Sequence, residues 1–432
     1  MVGNTFPYTI DNWKSDISLA HTNGIDGFAL NIGNDDWQKD RVNDAYEAAR
    51  QSGTDFKLFI SFDMSALPCA SPDDATTLRN YITQYATHPN QLIYKGRVFA
   101  STFAGQTCTF GQSSVAEGWS SQFTRHPDLT GQNAVFFVPS FFVDPNTFST
   151  FNDVMDGALN WNSAWPITLT ADSSLISGLL STVFNAVSSL LRGTDTDTQY
   201  MNGLSTMANS GDKAYLPTVS PWFYTHYGAD TFNKNWIYYA DQHLYPTRWE
   251  SLIASRDKFD IVEVITWNDY GESHYIGPIE GAQPNSQAWV DGLDHTAWLN
   301  MTNYYAQAFK TGSFPAITED KIYMWSRTHP KDANAPDAVG KPDNFQMTED
   351  AVWAVVMATS PGQVTLQTSD TNSQTVDVVP GVNKLSIPIS AGDTMYAKLV
   401  RNGQTVVELK PDGFSFNGSP PSYNFNAFVA SS

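Results

Sequence analysis

Cysteine is almost missing from this chain: Cys69 and Cys108 are the only two. Two thiols cannot build a disulfide framework or a four-cysteine zinc site; they form one bridge or remain buried free thiols. Cationic residues are also scarce, with 24 Lys and Arg against 44 Asp and Glu and a net charge of −20. Such a balance excludes nucleic acid as a partner and opposes attraction to anionic membranes. The one long uncharged stretch, Ser173–Leu191, repeats its apolar residues on a single helical face. That is the pattern of an amphipathic helix against a core, not of a membrane span. No GxGxxG follows a strand-like run, no GxSxG occurs, and none of the 8 His stands in an HExxH. A dinucleotide site, a nucleophile-elbow serine and a zinc-hydrolase site are therefore unsupported. Asp35-Asp36 and Asp195-Thr-Asp197 lack the rest of a calcium loop. No metal or organic cofactor is expected. Met1 leads straight into VGNTFPYT, a start in which no signal peptide is expected.

Aromatics, by contrast, are plentiful: 13 Trp, 19 Tyr and 26 Phe among 432 residues. Flat rings stack on the C–H faces of sugars, and they also fill large cores. Through the first three-quarters of the chain, strand-like runs alternate with helical patterns. The strand-like runs are Ile25–Asn31, Lys57–Asp63, Arg97–Phe103, Ala134–Phe142, Pro166–Thr170, Tyr215–Ser220 and Asp260–Asn268. The helical patterns include Tyr8–Thr22, Arg41–Ser52, Asp73–Tyr85, Thr147–Gly157 and Asn233–Ser255. Seven strands after a first helix, with Met1–Gly3 as the end of an eighth, predict an α/β fold, a (β/α)8 TIM-like barrel, over residues 1–317. A doubly wound open sheet is the alternative. From about Asp320 the texture changes to short alternating runs separated by turns, beginning with Lys321–Ser326. This predicts a small antiparallel β-sandwich over residues 318–432.

The segment IVEVITWNDYGESHYIGP, residues 261–278, carries the strongest chemical signal. A strand runs into Asp269 and Glu272, and the C-terminal ends of barrel strands carry active sites. Two carboxylates three residues apart, turning at Gly271, can face one pocket, as glycoside hydrolysis requires. The bland alternative is an acidic loop at a strand end. Period-two alternation puts Glu263, Ile265, Trp267 and Asp269 on the axis side, with Val262, Val264 and Thr266 on the helix side. It likewise puts Lys57, Phe59, Ser61 and Asp63 toward the axis. Asp63 thus becomes a third carboxylate at the mouth, with a loop hydrogen bond as its alternative role. Lys57 and Glu263 lie low in the barrel, where an unpaired charge is costly. They are expected to pair with each other or with Arg97. Other strand ends supply Asn31, Gln106, Asn160, Trp161, Trp165, Trp222, Tyr224 and His226, a sugar-binding mixture of amides and rings. Trp222 and Tyr224 lead this group. Cys69 and Cys108 fall in neighbouring loops and could clamp the rim with a disulfide.

With MVGNTFPYT, GIDGFALNIG, LFISFDMS, TWNDYGESHYIGP and KIYMWSRTHP in view, the chain resembles the fungal α-1,3-glucanases, or mutanases, a family of inverting glycoside hydrolases. The resemblance spans most of the chain. It implies a barrel joined to a β-sandwich and hydrolysis of α-1,3-glucan (mutan or fungal cell-wall glucan) by a secreted or wall-associated enzyme, endo- or exo-acting, with endo-action favoured. Carried over by motif, the acids are Asp269, Glu272 and Asp63. Glu272 is favoured as the general acid, and Asp63 assists. Trp267, Asn268, His274 and Tyr224 would shape the sugar subsite. The expected partner is the glucan alone, with the protein a monomer. The alternatives are a non-catalytic glucan-binding wall protein and a glycosidase for another α-glucan linkage.

Overall fold

The computed structural model describes residues 1–166 and 195–432. The amphipathic stretch Ser173–Leu191 and all but the first residue of the expected strand Pro166–Thr170 lie outside them. Among the described residues, ten strands precede residue 265: β1 (Gly27–Ile32), β2 (Lys57–Asp63), β3 (Ile93–Tyr94), β4 (Arg97–Phe103), β5 (Val135–Ser140), β6 (Gly157–Asn160), β7 (Ala214–Val219), β8 (Tyr224–Tyr227), β9 (Lys234–Ile237) and β10 (Glu263–Val264). Seven of these run parallel in two sheets, β1-β2-β4-β5 and β6-β7-β10. A backbone bond from Asp156 to the Phe137 carbonyl (2.8 Å) ties the two sheets together.

Alternation along the strands explains the layers. In β2, Leu58, Ile60 and Phe62 join the large core beneath the helices, whereas Phe59 joins a separate inner cluster. That inner cluster also holds Phe99, Phe136, Val138, Leu159 and Leu216, so the inner faces of both sheets close on one another. Helices Ile10–Thr22, Gln38–Ser52 and Pro72–Tyr85 cover the outer face. The last of these starts cleanly because the Ser71 N–H donates to Asp74 Oδ2 (2.8 Å) and Pro72 fills the first turn.

Beyond Lys321 the chain forms β11 (Lys321–Arg327), β12 (Ala351–Ala358), β13 (Gly362–Ser369), β14 (Asn372–Val378), β15 (Gly381–Pro388), β16 (Tyr396–Arg401), β17 (Gln404–Leu409) and β18 (Ala427–Ser431). They build two antiparallel sheets, β15-β12-β11-β18 and β14-β13-β16-β17. In β11, Ile322 and Met324 face the core between these sheets, while Tyr323 and Trp325 join the large core of the preceding region. One strand therefore belongs to two cores, and the Trp325 and Trp298 rings lie 6.1 Å apart across the seam.

Several expectations are corrected. Met1–Gly3 is not the end of a strand: Val2–Thr5 is a 3-10 turn. A strand not expected from the sequence lies at Gly157–Asn160, and the helix expected over Thr147–Gly157 is a 3-10 turn, Pro145–Phe151. A four-residue run is too short to show a period. Its glycine is required by proximity, since a Cβ at Gly157 would sit 2.2 Å from the Ala214 carbonyl oxygen. The helix expected over Asn233–Ser255 begins only at Leu244; before it, β9 pairs antiparallel with β8. The bulky aromatic Trp236 and β-branched Ile237 favour a strand there. Lys57 and Glu263 do not pair. Lys57 binds Asp55 (2.6 Å) and the Pro89 carbonyl (3.1 Å), and Arg97 binds Asp156 (2.8 Å). One Glu263 carboxylate oxygen is buried without a partner, and burial pushes this carboxyl up to about 7.

Candidate active site

The loop after β10 is folded by its own backbone. Thr266 N–H donates to the His274 carbonyl (2.8 Å), and Ile276 N–H returns to the Thr266 carbonyl (2.9 Å). Between them Tyr270–Glu272 makes one 3-10 turn. Gly271 is needed at its centre because a Cβ there would lie 2.2 Å from the Tyr227 hydroxyl. The buried Tyr270 donates to the Pro278 carbonyl (3.0 Å), and the Trp289 indole donates to the Gly271 carbonyl (3.3 Å). A turn packed this tightly fixes where Asp269 and Glu272 can point.

Both carboxylates meet His274, which is fully buried. Its Nε2 lies 3.1 Å from Glu272 Oε2 and 3.9 Å from Asp269 Oδ2. Its Nδ1 lies 3.0 Å from Thr266 Oγ1, which also accepts the Asp269 N–H (2.9 Å). With the Thr266 O–H donating to Nδ1, Nε2–H is left to donate to Glu272. On the other side, Lys234 Nζ from β9 sits 3.1 Å from Glu272 Oε1. The two acids thus occupy opposite electrostatic environments. Burial, reinforced by the neighbouring Glu272 carboxylate, pushes Asp269 up to about 6. Burial also works against the Glu272 charge, but His274 and Lys234 outweigh it and hold Glu272 down to about 2. The Lys234 ammonium, though partly desolvated, is held above its ordinary value by Glu272, Asp269 and Asp63.

One oxygen of Asp269, one of Glu272 and one His274 nitrogen lie within 4.8 Å of one another. These three could ligate a cation, but Lys234 and His274 already bind the Glu272 oxygens, an arrangement suited to dividing a proton between two acids.

The acids open onto a cavity of about 660 Å³, lined also by Asn31, Ser61, Asp63, Phe103, Trp161 and Lys234. Asp63 stands at the end of β2, where its Oδ1 accepts from Ser65 N–H (3.0 Å) and Ser65 O–H (2.5 Å). Asn31 points toward Ser61 Oγ (3.5 Å). Trp267 and Asn268 line the wall, but both are engaged in packing. Trp267 lies 5.0 Å from the Phe28 ring, and Asn268 is bonded to Met1 and Asn4.

Three expected sugar contacts are elsewhere. Trp222 and Tyr224 are fully buried and donate to the Phe425 (2.9 Å) and Tyr423 (2.7 Å) carbonyls. The chain after β7 turns away from the mouth into the β8–β9 hairpin, so these rings face the C-terminal segment. Gln106 lies outside the cavity lining, and its Oε1 accepts the Phe142 N–H (3.3 Å). Cys69 and Cys108 form a disulfide beside this region. Lys234 is the main residue that sequence reasoning missed. Reading Lys234, Trp236 and Tyr238 at period two would have placed it on a strand face with two aromatics.

A model described as glycosyl hydrolase family 71 matches residues 1–432. A glucan endo-1,3-alpha-glucosidase of Schizosaccharomyces pombe is 40% identical, covering 99% of this chain and 92% of that protein. A mutanase of Penicillium rubens is 32% identical over 100% of this chain and 87% of its own length. An ascus wall endo-1,3-alpha-glucanase of Schizosaccharomyces pombe is 32% identical over 99% and 94%.

Proposed function

Because this chain belongs to glycosyl hydrolase family 71, and is thus a glycoside hydrolase, we propose that it cleaves α-1,3-glucan, attacking internal bonds, with Asp269 and Glu272 as its acid and base. The observation that carries this is geometric: two acids on one turn share His274, while Lys234 binds Glu272. Asp269, pushed up by burial, holds the proton that the leaving oxygen needs. Glu272, kept ionised by His274 and Lys234, activates the attacking water. This assignment reverses the roles favoured from sequence. Asp63 assists from the end of β2.

Inversion is the course implied by the resemblance. It places the Asp269 and Glu272 carboxyls ~6.5–9.5 Å apart around a bound sugar and water. The other course is retention, in which Glu272 attacks the anomeric carbon directly across ~5–5.5 Å. Proton NMR of fresh digests of soluble α-1,3-linked oligosaccharides separates them. A transient β-anomer means inversion, an α-anomer means retention, and no cleavage removes the glucanase reading. Either course needs Asp269 protonated and Glu272 ionised. Activity is therefore expected in an acidic window: it falls about tenfold per pH unit as Asp269 deprotonates above about 6, and is lost near about 2 as Glu272 protonates. A kcat/KM–pH profile on the same oligosaccharides checks this, and a flat profile from pH 5 to 8 contradicts the assignment.

The architecture in this proposal is a (β/α)8 barrel over residues 1–317 with a β-sandwich over 318–432. The parallel order of both sheets and their shared inner cluster support the barrel. Work outside the cell or in its wall fits the Cys69–Cys108 disulfide and the ascus-wall relative.

A further inference from the structure

An unbroken line of rings leads from solvent to the acids. Phe142, in the loop after β5, is 38% exposed. Its ring lies 5.2 Å from Phe103, which lies 5.0 Å from Trp161, which lies 6.3 Å from His274. Phe103 and Trp161 line the cavity, whereas Phe142 stands outside it on the rim. Successive planes meet at 74°, 75° and 75°, so no ring hides the face of the next by stacking flat on it.

An isolated exposed phenylalanine needs no explanation. This one is different because it continues a cavity wall and is held in place. Gln106 accepts its N–H, the neighbouring Phe141 is buried, and Val143 N–H closes a tight turn onto the Phe141 carbonyl (2.9 Å). With its backbone fixed and its ring edge-on to Phe103, this side chain loses little freedom when a ligand covers it. The occupant must offer apolar patches at intervals while staying polar elsewhere, which describes the C–H faces of successive glucose units.

We propose that Phe142, Phe103 and Trp161 form an accessory track for glucose units beyond the cleaved bond, with Phe142 as its outermost platform. The inference rests on the glucanase reading and extends it: binding energy gathered far from the cleaved bond is spent at the acids. Gln106 serves as the positioning residue of the platform.

The test is kcat/KM for α-1,3-linked oligosaccharides from trisaccharide to octasaccharide. The enzymes are the wild type, Phe142→Ala and Phe142→Trp. The wild type gains with length. Phe142→Ala matches it on the shortest cleaved substrate and falls about tenfold behind on the longest, while Phe142→Trp restores the gain. An equal loss at every length, or no loss at the longest, overturns the track but leaves the glucanase reading standing. No cleavage by the wild type at any length overturns both.

Discussion

Asp269→Asn is expected to lower kcat on α-1,3-linked oligosaccharides by about 10²–10⁴-fold, the range for losing a general acid. The fold should survive. Burial and Glu272 raise this carboxyl above its unfolded value, so the native state binds the extra proton between about pH 4 and about pH 6. Its cost to stability is absent below that window, grows through it and is complete above it. The variant should therefore melt no lower than the wild type at pH 7. Thermal unfolding at pH 4 and pH 7 beside the rate measurement checks both halves. A fluoride leaving group needs little protonation, so an oligosaccharyl α-fluoride should recover much of the lost rate. If the fluoride is no better a substrate than the oligosaccharide, Asp269 is not the acid.

Glu272→Gln is expected to cost a similar factor, about 10²–10⁴-fold, with no recovery on the fluoride, because water is then left without its base. Its stability follows the opposite sign. Glu272 is held below its ordinary value by His274 and Lys234. Its contribution is thus present above the unfolded pKa and disappears as pH falls toward about 2. The variant should be less stable than the wild type at neutral pH, with the two converging in strong acid. Equal melting temperatures at pH 7 would mean that the Lys234 ion pair and the His274 hydrogen bond add no net stability.

The parts of the molecule legible in sequence are those where a period repeats. In KLFISFD the alternation runs for seven residues, so Phe59 goes inward, Leu58, Ile60 and Phe62 outward, and Asp63 reaches the rim. Asp269 and Glu272 were legible through their motif. The β6 run is too short to carry a period. Lys234 is hidden because the expected helix over Asn233–Ser255 runs one strand of a hairpin, β9, together with the helix Leu244–Ala254. Trp222 and Tyr224 show a different limit. A strand-end aromatic looks the same whether the next residues open into the mouth or turn away, and only the hairpin and the chain 200 residues later decide it. The expected Lys57–Glu263 pair failed for a related reason, as Asp55 and Pro89 offered Lys57 nearer partners.

The hairpin that brings Lys234 to Glu272 is braced from behind by the end of the chain. Tyr423 and Phe425 take the hydrogen bonds of Tyr224 and Trp222, and His226 is held between Asn235 (2.8 Å) and Asp337 (2.9 Å). Asp337, Tyr423 and Phe425 follow their hairpin-side partners by 111, 199 and 203 residues. A nascent chain that has already assembled its three carboxylates still lacks the brace that seats the lysine. The site acquires its final electrostatics only once these later residues have docked.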